Sequence, residues 1–150
     1  MNARSKKSGF TLIEILVVIG IIALLATIVI VAINPARQFA QARNTQRTSN
    51  VNTILNAIGQ NIADNKGLFT CPGVTLPNAT SSILVASGSG VDLSCLTPTY
   101  IPSFPIDPSN PTAPDTGYKV IVDGIGRVTV CAPHAVEVAI PLSTEICVKR

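Results

Sequence analysis

The sequence predicts an α+β fold in which a long N-terminal α-helix packs on a small antiparallel β-sheet of three to four strands. Three patterns along the chain support this prediction. Residues 10–33 form an apolar run, residues 51–62 carry an apolar stripe with helical spacing, and the region after Gly67 is rich in Pro, Gly, Ser, Thr and Val. The helix is therefore expected to be apolar on all sides in its first half and amphipathic in its second half.

The apolar run has the length and composition of a membrane-spanning helix. Among the 24 residues from Phe10 to Ile33, Glu14 is the only ionisable side chain. The residues after Glu14 would extend over about 28 Å at 1.5 Å per residue, which matches a bilayer core about 30 Å thick. We therefore expect residues 10–33 to cross the cytoplasmic membrane at some stage of the protein's life.

The basic residues at the start of the chain predict the orientation of this helix. Arg4, Lys6 and Lys7 precede the apolar run, and residues 1–9 contain no acid. A basic flank favours the cytoplasmic side, so the C-terminal part is expected outside. Without residues 1–9, eight basic residues face eight acidic ones. The formal charge of +3 therefore gives no clear indication of a nucleic-acid site.

The polar segment 34–66 is predicted to continue the helix with one apolar face. Asn65-Lys66-Gly67 is typical of a helix end, because glycine adopts the left-handed conformation easily. Three arginines in this segment are expected on exposed faces, where solvation or a contact with a neighbouring chain is a better interpretation than a DNA-binding stripe. They are Arg37, Arg43 and Arg47, and the apolar stripe consists of Val51, Ile54, Leu55, Ile58 and Ile62.

Two residues are predicted to weaken this helix. Pro35 cannot donate a hydrogen bond to the carbonyl group of Val31, so a kink or a local loosening is expected there. Gly20 costs about 1 kcal/mol relative to alanine in a helix interior. The prediction is thus one helix from near Phe10 to near Lys66, with Gly20 and Pro35 as the candidate sites for kinking or melting.

Residues 67–150 are predicted to form a small C-terminal β domain. Valines alternate on both sides of Asp-Gly-Ile-Gly within residues 118–132, which is typical of a hairpin. The proline-rich segment 100–117 is expected to be a connection with few strands. The apolar stripe of the helix would cover one face of the sheet. Further short strands are expected within residues 81–87, 90–96, 135–140 and 145–150.

The four cysteines all lie in the part of the chain that is expected outside the membrane. Their spacing does not match a CxxC metal site, and an even number in an oxidising compartment favours two disulfides. Three pairings are possible from the sequence. The pairing between sequence neighbours, Cys71–Cys95 and Cys131–Cys147, is the favoured one.

Catalytic and metal-binding motifs are weak in this sequence. His134 is the only histidine, and the segment Ser87-Gly-Ser-Gly90 lacks the GxSxG pattern. Asp107, Asp115 and Asp123 do not have the spacing of a calcium-binding EF-hand loop. We therefore expect neither an enzyme nor a bound metal or cofactor.

The apolar run is compatible with three classes of N-terminal segment. A secretory signal peptide has an apolar region of about 7–15 residues, which is shorter than this run, and no small-x-small cleavage site follows. A plain N-terminal anchor explains the length and the orientation. It leaves Glu14 and the junction between Gly9 and Phe10 unexplained, and the third class uses both features.

The stretch Gly9-Phe10-Thr11-Leu12-Ile13-Glu14 resembles the cleavage motif of type IV prepilins. This resemblance implies that residues 1–9 are a leader and that a prepilin peptidase cuts between Gly9 and Phe10. The same enzyme would methylate the new N-terminus at Phe10, and Glu14 would stand fifth in the mature chain. The implied fold is pilin-like, with residues 10–33 as the transmembrane and filament-core helix.

The resemblance also implies a function and a set of binding partners for the chain. It would be the structural subunit of a type IV pilus-like filament, a helical homo-oligomer used in adhesion, motility or DNA uptake. The subunit would be stored in the cytoplasmic membrane and then assembled at the cell surface by an inner-membrane platform protein and an ATPase. One alternative is a pseudopilin of a type II secretion or competence apparatus. Another is a membrane-anchored adhesin that never polymerises.

Glu14 is expected to set the register of assembly. Cleavage gives Phe10 a free amine, and water is scarce in a filament core built from apolar helices. Each charge there needs a partner. The carboxylate of Glu14 in one subunit is expected to pair with the Phe10 amine of its neighbour, so that an axial offset separating the two charges is penalised.

Overall fold

The computed structural model describes residues 9–109 and 113–150. Residues 1–8, which belong to the predicted leader 1–9, and residues 110–112 of the proline-rich connection lie outside the described residues. The chain divides into two compact units, Met1–Ala36 and Arg37–Arg150. The first unit contains the apolar helix, and the second contains the folded domain.

Two helices occupy the segment that was predicted to be one. The first, α1, spans Leu12–Ala32, and the second, α2, spans Pro35–Asp64. Ile33 has an extended backbone with ψ 108°. Asn34 directly precedes Pro35, and the helical conformation is disfavoured for a residue in that position, whereas proline itself fits the first position of a helix. The segment is therefore two helices rather than one, and the break at Ile33 and Asn34 lies where Pro35 was expected to loosen the helix.

Helix α2 provides one wall of the core of the folded domain. Val51, Ile54 and Ile58 are fully buried, as the apolar stripe predicts. The helix ends at Asp64, and Gly67 follows with φ 90° and donates its backbone N–H to the carbonyl group of Ile62 at 2.8 Å. This left-handed C-terminal cap confirms that the chain leaves the helix just before Gly67.

A five-stranded sheet provides the other wall. Its strand order is β2-β1-β3-β4-β5, and every neighbouring pair is antiparallel except β1 and β2, which are parallel. The α+β class is confirmed, although the sheet is mixed rather than purely antiparallel and has one strand more than expected. The strands are β1 Ser81–Leu84, β2 Val91–Asp92, β3 Asp115–Val122, β4 Val128–Ala132 and β5 Ile146–Lys149.

Gly90 makes the parallel pair possible. Strand β2 has only two residues, and the chain returns beside β1 through the loop 85–90. A Cβ atom at Gly90 would lie 2.5 Å from the carbonyl oxygen of Ser82. Only glycine permits this close approach of two backbone segments. The predicted strand 90–96 is thus shortened to β2, and a 3-10 turn, Ser94–Leu96, follows it.

The predicted hairpin is confirmed, whereas one predicted strand is wrong. Strands β3 and β4 pair with Lys119 opposite Cys131 and Val122 opposite Val128. Residues 135–140 do not form a strand. Pro133 begins a 3-10 turn instead, and the side chain of Glu137 is held by contacts with helix α2. The last predicted strand is present as β5.

The core lies between helix α2 and one face of the sheet. Tyr118, Val120 and Val130 point from the sheet toward α2 and are fully buried. Ile83, Leu93 and Leu96 close the core from the side of β1 and β2. Each such side chain contributes about 1.5–3 kcal/mol when it is fully buried.

Two disulfides tie the segments around this core together. The structure pairs Cys71 with Cys95 and Cys131 with Cys147, with Cα–Cα distances of 5.9 and 4.1 Å. The first bond joins the segment after helix α2 to the 3-10 turn that follows β2. The second joins β4 to β5 and closes the loop that contains Glu137. In the chain-entropy model, loops of this length gain about 3 kcal/mol each.

Arg47 lies at the centre of a buried ionic cluster. Its side chain is fully buried, although the sequence predicted it on an exposed face. Its Nε donates to Oδ2 of Asp107 at 2.7 Å and its Nη1 donates to Oε1 of Glu137 at 2.6 Å. Its Nη2 also donates to Oδ1 of Asp107 at 3.1 Å, and Ser109 and Asn44 accept further hydrogen bonds from its guanidinium group. The cluster thus joins α2 to the proline-rich connection and to the loop after β4.

The carboxylates of this cluster make the domain sensitive to acid. The hydrogen bonds from Arg43, then from Arg47, lower the pKa of Glu137 to about 2. Burial by itself would raise the pKa of Asp107, but hydrogen bonds from Arg47 and Ser109 outweigh it and lower that pKa as well. A carboxyl with a depressed folded-state pKa stabilises the fold above its unfolded pKa and loses this contribution as the pH falls.

We expect Glu137→Gln to reduce the loss of stability on acidification. In the wild type, the contribution of Glu137 should disappear as the pH falls from about 4.5, its ordinary pKa, to about 2, its pKa in the folded protein. The variant should be less stable at pH 7 and should show a shallower decline over that window. Chemical denaturation of the full chain in detergent at several pH values measures the free energy of unfolding at pH 7 and its decline with falling pH. Glu145→Gln is the matched control, and an equal change of slope in both variants would contradict the assignment.

Candidate processing and assembly site

The predicted cleavage junction is fully accessible. Gly9 and Phe10 precede helix α1 without regular secondary structure, and the Phe10 side chain is 85% exposed. Thr11 follows with an extended backbone, φ −80° and ψ 150°, and is the N-cap of α1. A peptidase needs a segment that is free to enter its active site, and Gly9 and Phe10 are exposed and outside regular secondary structure.

Thr11 and Glu14 form a capping box at the start of α1. The backbone N–H of Thr11 and its Oγ1 hydroxyl both donate to Oε2 of Glu14 at 2.7 Å. In return, Thr11 Oγ1 accepts a bond from the backbone N–H of Glu14 at 3.3 Å. This reciprocal pair satisfies two of the donors that the start of a helix leaves free. Glu14 is therefore held close to the helix N-terminus, on the side of Phe10.

The capping box leaves one carboxylate oxygen of Glu14 available. Oε2 accepts both bonds from Thr11, whereas Oε1 has no hydrogen bond within the described part of the chain. The negative charge of the carboxylate favours a nearby cation or hydrogen-bond donor at this free oxygen. The geometry is suited to an incoming ammonium group, such as the N-terminal amine that cleavage before Phe10 would create.

Helix α1 exposes its whole apolar surface. None of its 21 residues is buried by the rest of the chain, and it is the one described helix long and apolar enough to cross a membrane. Apolar side chains on every face are typical of a helix that is surrounded by lipid or by other apolar helices. The helix and the N-terminal motif fit a membrane-anchored precursor.

Gly20 and Pro35 lie at different kinds of position. Gly20 is inside α1, which remains helical on both sides of it, and a Cβ atom there would meet nothing within 4 Å. Pro35 is the first residue of α2 and follows the two-residue break at Ile33 and Asn34. Their part in bending or melting during assembly remains a prediction.

The acids and the histidine that the sequence singled out are engaged elsewhere. Asp107 is held by Arg47, and Asp123 accepts from Lys149 at 2.6 Å. His134 lies at the surface, with Nδ1 3.8 Å from Oδ1 of Asp107. Glu145 lies near Cys131 and Cys147, but both sulfur atoms are used in the disulfide. These contacts stabilise the fold, and among the described residues they assemble no triad.

The contact of Thr11 with Glu14 is the feature of this site that the sequence interpretation missed. The spacing Thr11-x-x-Glu14 just before an apolar run is the signature of a capping box and was readable from the sequence. The charge of Glu14 in an apolar run predicted only an intermolecular partner. The structure gives it an intramolecular partner first.

Residues 4–30 match the family model described as the prokaryotic N-terminal methylation motif. This motif is the class III signal of type IV pilins and pseudopilins, and it marks pilin-like structural subunits. The match covers Gly9, Phe10 and Glu14, together with most of helix α1. No curated protein and no solved structure matches the chain significantly. The chain thus carries the signal of a pilin-like precursor.

Proposed function

We propose that this protein is a structural subunit of a type IV pilus-like filament. The observation that carries the proposal is the methylation motif joined to a helix whose apolar surface is wholly uncovered. Such a helix is stable in lipid, and it leaves lipid only where copies of itself replace the acyl chains. Repetition of one head-to-tail contact then gives an open filament rather than a closed ring.

The steps of assembly follow from the N-terminal residues. Residues 1–9 are removed between Gly9 and Phe10 by a prepilin peptidase, which also methylates the Phe10 amine. The mature subunit waits in the cytoplasmic membrane through residues 10–33, with its C-terminal part outside. A platform protein and an assembly ATPase extract it and add it to the growing fibre at the cell surface. Residues 34–66 and the disulfide-bonded region 67–150 form the outer part of that fibre.

Glu14 sets the register between neighbouring subunits. Its free oxygen Oε1 accepts the methylated amine of Phe10 from a neighbour, while Thr11 keeps the carboxylate in place through Oε2. An ion pair of this kind adds little net stability compared with an apolar contact, but an offset that separates the charges is costly. The role of Glu14 is therefore to select one alignment of helices.

A pseudopilin of a secretion or competence apparatus is the second candidate. The same signal and the same helix would then build a short periplasmic piston. The two disulfides favour the surface fibre, because covalent links stabilise a small domain that is exposed outside the cell. A deletion strain that loses protein secretion but keeps its surface fibres would support the pseudopilin.

Electron microscopy of material sheared from intact cells tests the proposal. We expect fibres in which this chain is the dominant protein, and we expect a deletion strain to lack them. A chain that stays in the membrane fraction, with no fibre on cells that express it, contradicts polymerisation. That result would favour the membrane-anchored adhesin.

A further inference from the structure

One loop of the folded domain presents large apolar side chains to solvent. This apolar loop, residues 136–142, lies between β4 and β5 inside the loop closed by the second disulfide. Val136 is 60% exposed, and Val138 and Leu142 are essentially fully exposed, at 104% and 99%. Three aliphatic side chains grouped in seven residues form a patch, whereas single exposed apolar residues need no explanation.

The apolar loop is held in one conformation. Glu137 is fixed by Arg43 and Arg47, and its backbone N–H donates to Oγ of Ser143 at 2.9 Å. The backbone N–H of Ile140 donates to the carbonyl group of Glu137 at 2.9 Å. These bonds place the exposed valine at 138 on an anchored turn. The loop is therefore a preformed apolar projection, which binds a partner with little loss of conformational entropy.

Leu142 combines backbone strain with exposure. Its φ is +60°, in the left-handed region that a branched side chain rarely occupies. Asparagine or glycine would adopt this backbone more easily, and neither would expose an apolar side chain. Nothing in the described residues covers Leu142. Strain and exposure at one residue are typical of a binding site rather than of a structural turn.

An apolar groove lies between helix α2 and the turn of the β3–β4 hairpin. Its volume is about 470 Å³. We call it the helix–hairpin groove, and it lies next to the C-terminal half of α2. Its apolar walls are formed by Leu55, Ile58, Gly59, Ile62, Gly126 and Val128.

No contact among the described residues explains why position 59 is a glycine. It lies inside α2, where glycine costs about 1 kcal/mol relative to alanine. A Cβ atom built at Gly59 would meet nothing within 4 Å, and the residue is exposed. An exposed helical glycine on the wall of an apolar groove indicates that another molecule approaches the helix backbone there.

The apolar loop and the groove lie at opposite ends of the folded domain. The apolar loop is attached to α2 at the level of Arg43 and Arg47, and the groove surrounds Gly59. The 12 residues from Arg47 to Gly59 extend over about 18 Å of helix. In the sheet, Val128 at the start of β4 lines the groove, and the apolar loop follows the end of β4. One chain thus carries a projection at one end and a recess at the other.

We propose that the apolar loop of one subunit inserts Val138 and Leu142 into the helix–hairpin groove of the next subunit, against Gly59. This contact rests on the proposed filament function and specifies a second copy of this chain as the occupant. Copies are also the partner that the proposed filament gives to the exposed surface of α1. A projection and a recess at opposite ends form a heterologous contact, which repeats without closing.

The contact explains the exposed glycine at position 59 and the strained backbone of Leu142, which contacts within one subunit do not explain. Glycine at position 59 lets the apolar side chains reach the helix backbone. The strained backbone of Leu142 directs that side chain away from its own domain, where the neighbour provides the missing apolar surroundings. Each feature is unfavourable in the monomer, and each becomes useful only when two copies meet.

Gly59→Ala and Leu142→Asn test the contact, because both are expected to preserve or improve the fold of the subunit. Alanine should raise the Tm of the full chain in detergent by about 2–5 °C. Asparagine should leave the Tm unchanged or raise it, because it accepts a positive φ. We expect Leu142→Asn and the larger Gly59→Leu to lower the yield of sheared filaments at least about tenfold relative to membrane precursor. Gly59→Ala should lower it less.

Ser49→Ala and Leu68→Asn are the matched controls. Ser49 is an exposed residue of α2 outside the groove, and Leu68 is an exposed leucine outside both surfaces. Both controls should assemble normally. If Gly59→Leu or Leu142→Asn also assembles normally while the wild type forms filaments, the proposed contact is wrong and the filament function stands. If the wild type forms no filament, both proposals fail together.

Cross-linking gives a second, direct measurement of the pairing. Filaments of the double variant Gly59→Cys/Leu142→Cys should give a ladder of oligomers on a non-reducing gel, because each subunit donates one cysteine to each neighbour. Each single variant should give no ladder. A monomer band from intact filaments of the double variant would overturn the pairing of loop and groove.

Discussion

Glu14→Gln and Glu14→Ala are expected to abolish filament assembly while the chain still inserts and is still processed. In the proposed filament, the methylated amine of Phe10 is buried among apolar helices and relies on the carboxylate of a neighbour. Removal of one partner of a buried ion pair costs about 3–5 kcal/mol per contact, since a buried charge remains uncompensated. A penalty of this size lowers an association constant at least about a hundredfold.

The experiment compares three quantities in the same cells. These are the amount of precursor in the membrane, the fraction cleaved before Phe10, and the yield of sheared fibres. Only the third should fall in the Glu14 variants. Thr11→Ser is the matched control, because it keeps the hydroxyl that bonds the carboxylate, and it should assemble normally. Normal fibre yield from Glu14→Gln and Glu14→Ala would remove the proposed role of Glu14.

Thr11→Val separates the capping box from the ion pair. This substitution removes the hydroxyl bond to Glu14 and keeps the charge. Loss of an N-cap hydrogen bond costs about 1 kcal/mol, so we expect a reduction of only a few-fold in fibre yield. A loss as complete as that of Glu14→Ala would mean that helix capping, and not charge pairing, explains the requirement for Glu14.

Arg47→Ala is expected to destabilise the folded domain by about 3–5 kcal/mol. Arg47 is fully buried and donates to Asp107, Glu137, Asn44 and Ser109. Alanine would leave the buried carboxylate of Asp107 without its counter-charge and would open a cavity beside it. It would also detach the proline-rich connection and the loop after β4 from α2. This cost is a large part of the total stability of a small domain.

Chemical denaturation of the full chain in detergent measures this effect. Arg43→Ala is the matched control, since Arg43 pairs with the same Glu137 but is about one third exposed. The loss of Arg43 should cost much less, because solvent screens a partly exposed ion pair. Arg47→Lys should fall in between, because lysine keeps the charge but cannot make the forked contact with Asp107. If Arg47→Ala lowers the free energy of unfolding no more than Arg43→Ala does, the buried ionic cluster does not stabilise the domain as proposed.

The predictable part of the fold rests on short-range patterns. The stripe from Val51 to Ile62 could be read because its spacing repeats with the helical period and its residues face one core. The hairpin could be read because valines alternate on both sides of a glycine-containing turn. In both cases the signal lies within a few residues, and the burial that it predicts follows directly.

The features that the sequence did not predict depend on distant partners. Arg47 reads as a surface residue, and its burial depends on Asp107 and Glu137, which lie 60 and 90 residues away. The segment 135–140 has the composition of a strand, but Glu137 is drawn to α2 and the strand is not formed. The parallel β1–β2 pair depends on the absence of a side chain at Gly90. Sequence periodicity contains no signal for such contacts.

In the candidate site, too, some features were predictable from the sequence and others were not. The spacing of Gly9, Phe10 and Glu14 ahead of a membrane-length run was sufficient to predict the signal that the family model matches. The projection at Leu142 and the recess at Gly59 became visible only from exposure, backbone angle and shape. Each is unremarkable as a residue type, and their relation exists only in three dimensions.

Mass spectrometry of the N-terminus of the chain from sheared filaments tests the central claim most directly. The account predicts a chain that begins at Phe10 and carries one methyl group on its α-amine, with Glu14 and helix α1 retained. A natural product that still begins at Met1, or a free monomer trimmed beyond Ile33, would contradict it.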